Sequence, residues 1–123
     1  MEEKDTVLVL SFEFAVRIVN AYKYLTETKR EYVLSKQLLR SGTSIGANVQ
    51  EAQAAQTKKD FIAKMSIASK EARETKYWID LLMRTEYFSP SDDHVKSLVS
   101  DINSIVKLLT SIVKTAQKDK NAR

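Results

Sequence analysis

A chain of 123 residues with one proline, two glycines and no cysteine is long enough for one domain with a modest core. It is too poor in turn residues for an all-β or α/β fold, and disulfide and thiolate chemistry are closed to it. A net charge of +4, from 20 basic residues mixed among 16 acidic ones, permits nucleic-acid binding without requiring it.

The longest purely apolar run, Val7–Leu10, is too short for a membrane span or a signal-peptide core, so no membrane role and a cytoplasmic location are expected. Residues 1–10 carry the short β-branched stretch TVLVL and read equally as an extended arm or an early helical turn. The first periodic segment covers about residues 11–28, where Phe14, Ala15, Ile18, Val19, Tyr22 and Leu25 recur at helical spacing. Ser11 is placed to cap its start, with Glu13 in the first turn.

The polar stretch ETKREY precedes a second segment, about residues 35–56. Leu38, Ile45, Val49, Ala52 and Gln56 keep a heptad-like rhythm that passes through Gly42 and Gly46 without a phase break, so the stretch is helix. Each interior glycine costs a helix roughly 1 kcal/mol against alanine. Placing both on one face points to close helix–helix approach. A phosphate-binding loop is the competing reading of SGTSIGANVQEA, but the glycine spacing is wrong, no lysine follows and no strand precedes. Gly42, Ser44, Ile45, Gly46, Asn48 and Glu51 form the candidate packing set, with Asn48 placed to hydrogen-bond across to another helix and fix register.

The third segment, about residues 58–87, sets Phe61, Met65, Ala68, Ala72, Thr75, Ile79 and Leu82 in a packing seam kept thin by Ala68 and Ala72. Thr57 with Asp60 is a capping-box variant and the one local stop signal between segments two and three. A continuous rod from Ser35 to Tyr87 fits the pattern as well. FSPSDD is a clear boundary: Ser89 reads as an N-cap, Pro90 as the first helical residue, and Asp92 and Asp93 suit the helix dipole. The fourth segment, about residues 90–118, carries Val95, Leu98, Ile102, Ile105, Leu109, Ile112 and Ala116 in one stripe, widened by Val99, Val106 and Val113. So broad a face serves either a second subunit or a deep intramolecular core. The polar tail Gln117–Arg123 is expected to fray.

Little in this inventory points to catalysis. His94 is the single histidine, and Glu71 and Glu74 have no histidine at the spacing of a di-iron bundle. No enzyme activity, metal or cofactor is expected. Basic residues gather on the second and third segments: Lys36, Arg40, Lys58, Lys59, Lys64, Lys70, Arg73, Lys76 and Arg84, with Tyr77 and Trp78 beside them as candidates to stack on bases.

LLRSGTSIGANVQEA followed by DFIAKMSIASKEARETKYWIDLL resembles the small four-helix-bundle proteins first noticed as products of intervening sequences in large-subunit ribosomal RNA genes. The likeness covers about Phe12 to Leu109 and is most specific at Arg40-Ser41, Ser44-Ile45, Asn48-Val49 and Glu51, then at Ile67-Ala68-Ser69 and Glu71/Glu74-Thr75. It implies one all-α domain over residues 1–123, an antiparallel up-down-up-down four-helix bundle with a turn near Thr57, assembled as a homopentamer. A related accessory protein of diversity-generating retroelements binds nucleic acid and a reverse transcriptase. The expectation is therefore a non-enzymatic homo-oligomer that binds RNA or DNA, structured RNA above all, through Lys36, Arg40, Lys58, Lys59, Lys64, Lys70, Arg73 and Lys76. A scaffold for a protein partner is the alternative.

Overall fold

The structure is a computed structural model that describes residues 2–121; the side chains of Lys4, Lys120 and Asn121 fall outside that description. Four helices follow in order: α1 (Glu3–Glu27), α2 (Leu34–Gln53), α3 (Lys58–Arg84) and α4 (Asp93–Asn121). Among the described residues no strand occurs. Each helix packs on its two chain neighbours, with α4 returning to α1, and among the described residues the backbones of the diagonal pairs do not approach closely.

Cross-helix contacts run counter to sequence at the α1–α2, α2–α3 and α4–α1 seams, consistent with antiparallel neighbours. Between α1 and α2, Ile18 lies against Gly42 and Ser11 against Gly46. Between α2 and α3, Arg40 reaches Glu71 while Glu51 reaches Lys64. Lys58 sits near Asp119 across α3 and α4. Between α4 and α1, Glu3 accepts from Ser111 and Arg17 bonds Asp101.

The core follows the periodic positions. Phe14, Ile18 and Leu25 of α1 meet Leu38, Ile45 and Val49 of α2, Met65, Ala72, Ile79 and Leu82 of α3, and Ile102, Ile105 and Leu109 of α4, all essentially sealed from solvent. Each large apolar side chain so buried contributes about 1.5–3 kcal/mol. The expected α3 and α4 seams are these core faces, with Phe61 and Val95 only half-buried at their ends. Val99, Val106 and Val113 are half-buried and pack against the same core.

Helix ends differ from the sequence expectation in ways the capping chemistry explains. α1 begins at Glu3, not near Ser11. The early start places Val7 in the core, where it is fully buried, and Glu3 and Asp5 suit the positive end of the helix. Ser11 is no cap: it is buried mid-helix and donates its hydroxyl to the Leu8 carbonyl at 3.3 Å. α2 stops at Gln53, where the amides of Ala54 and Ala55 bond back to Glu51 and Ala52. This breaks the rod, and Thr57 then caps α3 by accepting from the Asp60 amide at 3.0 Å.

α3 ends at Arg84 and not at Tyr87, because Glu86 takes a left-handed φ of 70°. The Glu86 amide bonds the Met83 carbonyl and the Tyr87 amide bonds that of Leu82. That is the Schellman arrangement, here made without glycine. Ser89 does not cap α4. Ser89–Asp92 form a turn closed by the Asp92 amide on the Ser89 carbonyl, with Pro90 at its favoured second position. Asp92 is the cap, accepting from the His94 amide at 2.8 Å and the Val95 amide at 3.3 Å. α4 stays helical to Asn121, past the expected fraying point; Ala122 and Arg123 lie outside the described residues.

Candidate nucleic-acid interface

The basic residues of α2 and α3 separate into two groups once the helices are packed. Those at helix seams are ion-paired. Arg40 bonds Glu71 at 2.9 Å and also pairs with Glu74. Burial would weaken the Arg40 charge, but the two carboxylates outweigh it and hold the guanidinium more firmly protonated. Lys64 pairs with Glu51 at 3.2 Å, and Lys58 approaches Asp119 at 3.8 Å. Arg40, Lys58 and Lys64, all expected to meet phosphate, are thus engaged within the protein.

The other group faces outward on α3. Positions 59, 63, 66, 70, 73, 77, 80 and 84 step by four and three, so they share one helix face. This row is Lys59, Ala63, Ser66, Lys70, Arg73, Tyr77, Asp80 and Arg84, with Lys76 at its flank. All but half-buried Ser66 are exposed. Among the described residues none of Lys59, Lys70, Arg73, Lys76 and Arg84 takes part in an ion pair; Arg73 makes only a 3.3 Å contact to Ser69 Oγ one turn back. Asp80 is the one acid in the row. From Lys59 to Arg84 the row extends about 37 Å at the helical rise. Lys36 is exposed on α2 and stands apart from it.

The two aromatics also divide. Trp78 is half-buried, packs on the core and donates its indole N–H to Glu74 at 3.1 Å. Tyr77 stands against it edge-on, ring centroids 5.0 Å apart, and is itself exposed within the basic row. Tyr77 is therefore the aromatic open to a base.

The packing set is likewise resolved. Ile45, Ala68 and Ala72 are fully buried, and Gly42 lies at the α1–α2 contact. A β-carbon on Gly46 would sit 3.1 Å from the Ser11 carbonyl oxygen. Asn48 does not cross to another helix: its amide donates to the Ser44 carbonyl at 2.9 Å and lies 3.2 Å from Ser44 Oγ, one turn back. Glu51 is exposed and contributes an ion pair, not packing. The buried polar contact between α2 and α3 is Ser41 with Thr75, hydroxyls 2.9 Å apart.

Two surfaces were not evident from the sequence pattern. A cleft of about 450 Å³ between α1 and α4 has Phe88 and Leu98 at its floor and Arg17 and His94 at its rim. Arg17 is committed there to Asp101, Ser97 and the His94 carbonyl, which leaves the cleft little free charge for an anion. On α1, Val9, Phe12, Val16 and Val19 are exposed. Val19 was expected on the core face with Ile18. α1 is apolar on two faces, which blurs the period that would separate them. Among the described residues no cluster of metal-binding side chains occurs, and no helix is long and apolar enough to cross a membrane.

Comparison with known proteins agrees with this architecture. No curated protein matches the chain. A crystal structure of a protein of unknown function from the S23 ribosomal protein family of Bacteroides thetaiotaomicron is 53% identical. It covers 92% of this chain and 99% of its own, with a TM-score of 0.87. The model of the 23S rRNA-intervening sequence protein family matches residues 3–111, and this four-helix chain belongs to that family.

Proposed function

We propose that this protein is a non-enzymatic, cytoplasmic homo-oligomer that binds nucleic acid, structured RNA above all, along the outer face of α3. The observation that carries the reading is the row of Lys59, Lys70, Arg73 and Arg84, exposed and in no ion pair among the described residues, with Asp80 as its one acid. Such a row suits a phosphate backbone, and exposed Tyr77 within it adds a surface for an unpaired base. The family's link to 23S rRNA intervening sequences accords with an RNA ligand. Assembly would multiply the field of a modest monomer charge: the homopentamer implied by the family resemblance would carry about +20 from five copies of +4.

The test is a titration of labelled structured RNA, with single- and double-stranded DNA alongside. Binding at low salt that is lost on Lys70→Glu with Arg73→Glu supports the reading. A folded protein that binds no nucleic acid at low salt overturns it. A second reading, a scaffold for a protein partner, is favoured by the exposed apolar residues of α1.

A further inference from the structure

α4 carries a second basic row on its outer face. Lys96, Ser100, Lys107, Lys114 and Lys118 stand four, seven, seven and four residues apart, so they share one side of the helix. That side is turned away from the core stripe of Leu98, Ile102, Ile105 and Leu109, and all five residues are exposed. Among the described residues none of the four lysines takes part in an ion pair. Asp101 and Asp119 of the same helix are engaged elsewhere, with Arg17 of α1 and Lys58 of α3. Two acids stand at the edges of the row: Asp93 in the first turn, and Glu3 of α1, which accepts from Ser111 at 3.3 Å.

The α4 row runs beside the α3 row. The two helices pack on each other and are joined by residues 85–92. Arg84 ends α3 and Lys96 lies near the start of α4, so both sit at the connected end. Lys59 and Lys118 sit at the other end, where Lys58 approaches Asp119 at 3.8 Å. Lys70 and Arg73 fall near the middle of α3, as Lys107 does of α4. Positive charge is thus matched across the two helices at both ends and at the centre. From Lys96 to Lys118 the α4 row extends about 33 Å at the helical rise, close to the length of its neighbour. Packed axes lie roughly 8–10 Å apart and a helix with its side chains is about 10–12 Å across, so the two outward rows stand roughly 10–20 Å from each other.

A single strand of phosphates can follow one such row. Filling both at once takes two strands held at a fixed separation, which a double helix supplies. The α4 row also holds no aromatic side chain on which an unpaired base could stack; lysine and serine suit phosphate and sugar oxygens. We propose that the outer faces of α3 and α4 together form one surface for duplex RNA, with α3 following one phosphate backbone and α4 the other. Recognition is by shape and backbone, the mode by which double-stranded RNA is mostly read. The inference rests on the nucleic-acid reading above and adds to it a second contact surface and the form of the ligand.

The test titrates a blunt RNA duplex, and each of its strands alone, at several salt concentrations; the strands are chosen without self-complementarity. Three proteins are compared: wild type, Lys107→Gln with Lys114→Gln, and Lys70→Glu with Arg73→Glu. Circular dichroism is the folding control, and the α4 changes lie on the exposed face. Wild type should bind the duplex more tightly than either strand. Lys107→Gln with Lys114→Gln should make the log affinity against log salt slope for the duplex shallower by about 2, one for each lysine. It should also remove the preference for duplex while leaving single-strand affinity unchanged. Lys70→Glu with Arg73→Glu should weaken both. Equal wild-type affinity for duplex and strand overturns the two-row surface, as does an α4 variant that weakens the two alike or changes neither; a loss confined to the α3 variant would then leave the nucleic-acid reading in place. A folded wild type that binds none of the three RNAs at low salt overturns that reading and this inference with it.

Discussion

Gly42 of α2 lies so close to Ile18 of α1 that a β-carbon at position 42 would stand 2.8 Å from both Cγ1 and Cγ2 of the isoleucine. Ile18 is fully buried and branched at that point, so it cannot swing aside as the end of a long side chain would. Gly42→Ala should therefore destabilise by about 1–2 kcal/mol, an overpacking cost of roughly 1–3 kcal/mol partly offset by the helix preference of alanine. Gly42→Ala combined with Ile18→Ala should cost clearly less than the sum of the two single changes. Gly46→Ala should destabilise mildly, because its neighbour is the Ser11 backbone carbonyl at 3.1 Å and not a movable side chain. Gly46→Leu should cost more. Chemical denaturation of the five variants, Ile18→Ala alone included, reads these differences.

Glu31 supplies the cap that α2 lacks at Val33. Its carboxylate accepts from the amides of Val33 at 3.2 Å, Leu34 at 3.0 Å and Ser35 at 2.7 Å. Burial alone would raise its pKa, but the amide bonds outweigh burial and leave it below the ordinary carboxylate value. A depressed folded pKa contributes stability that is present above the unfolded value, about 4.3. That contribution is lost as pH falls through the lower folded value. Glu31→Gln should lower stability at neutral pH by about 0.5–2 kcal/mol. It should also flatten the fall in stability below about pH 4.3. Thermal melts from pH 7 to pH 3 check both; a variant with the wild-type acid profile would rule the cap out as the source.

Between α2 and α3, the Ser41 and Thr75 hydroxyls are both fully buried. Thr75 also bonds the Glu71 carbonyl at 2.8 Å. Thr75→Val keeps the shape and strands the serine, at a cost of about 1–3 kcal/mol. Adding Ser41→Ala should recover much of it, since removing both partners of a buried pair is nearly neutral. A double-mutant cycle by urea denaturation measures the coupling.

Those three relationships also mark what the sequence could and could not convey. The core faces of α3 and α4 were legible because Met65, Ala72, Ile79 and Leu82, and Ile102, Ile105 and Leu109, repeat at a helical period with polar residues between. Close packing at Gly42 was legible because two glycines on one helix face have few other uses. Helix ends were less so. Glu31 caps from two residues before the N-cap, and Glu86 ends α3 in a conformation normally marked by glycine, so neither carries the usual sign. The N-terminal extension of α1 was hidden by TVLVL, whose β-branched residues have weak helix propensity. For the interface, composition located the basic helices, but only the packing shows that Arg40, Lys58 and Lys64 form ion pairs across helix seams while Lys59, Lys70, Arg73 and Arg84 form none among the described residues.

The most direct test of the α3 face is the salt dependence of RNA affinity for three proteins measured side by side: wild type, Lys70→Glu with Arg73→Glu, and Lys58→Glu with Lys64→Glu. Wild type should show a linear fall of log affinity with log salt. The outward pair should bind more weakly at every salt, with a slope shallower by about 1–2. The seam pair already spends its charge on Asp119 and Glu51 and should lose less affinity and keep most of the slope. Equal losses for the two pairs, or binding that does not respond to salt, would contradict it.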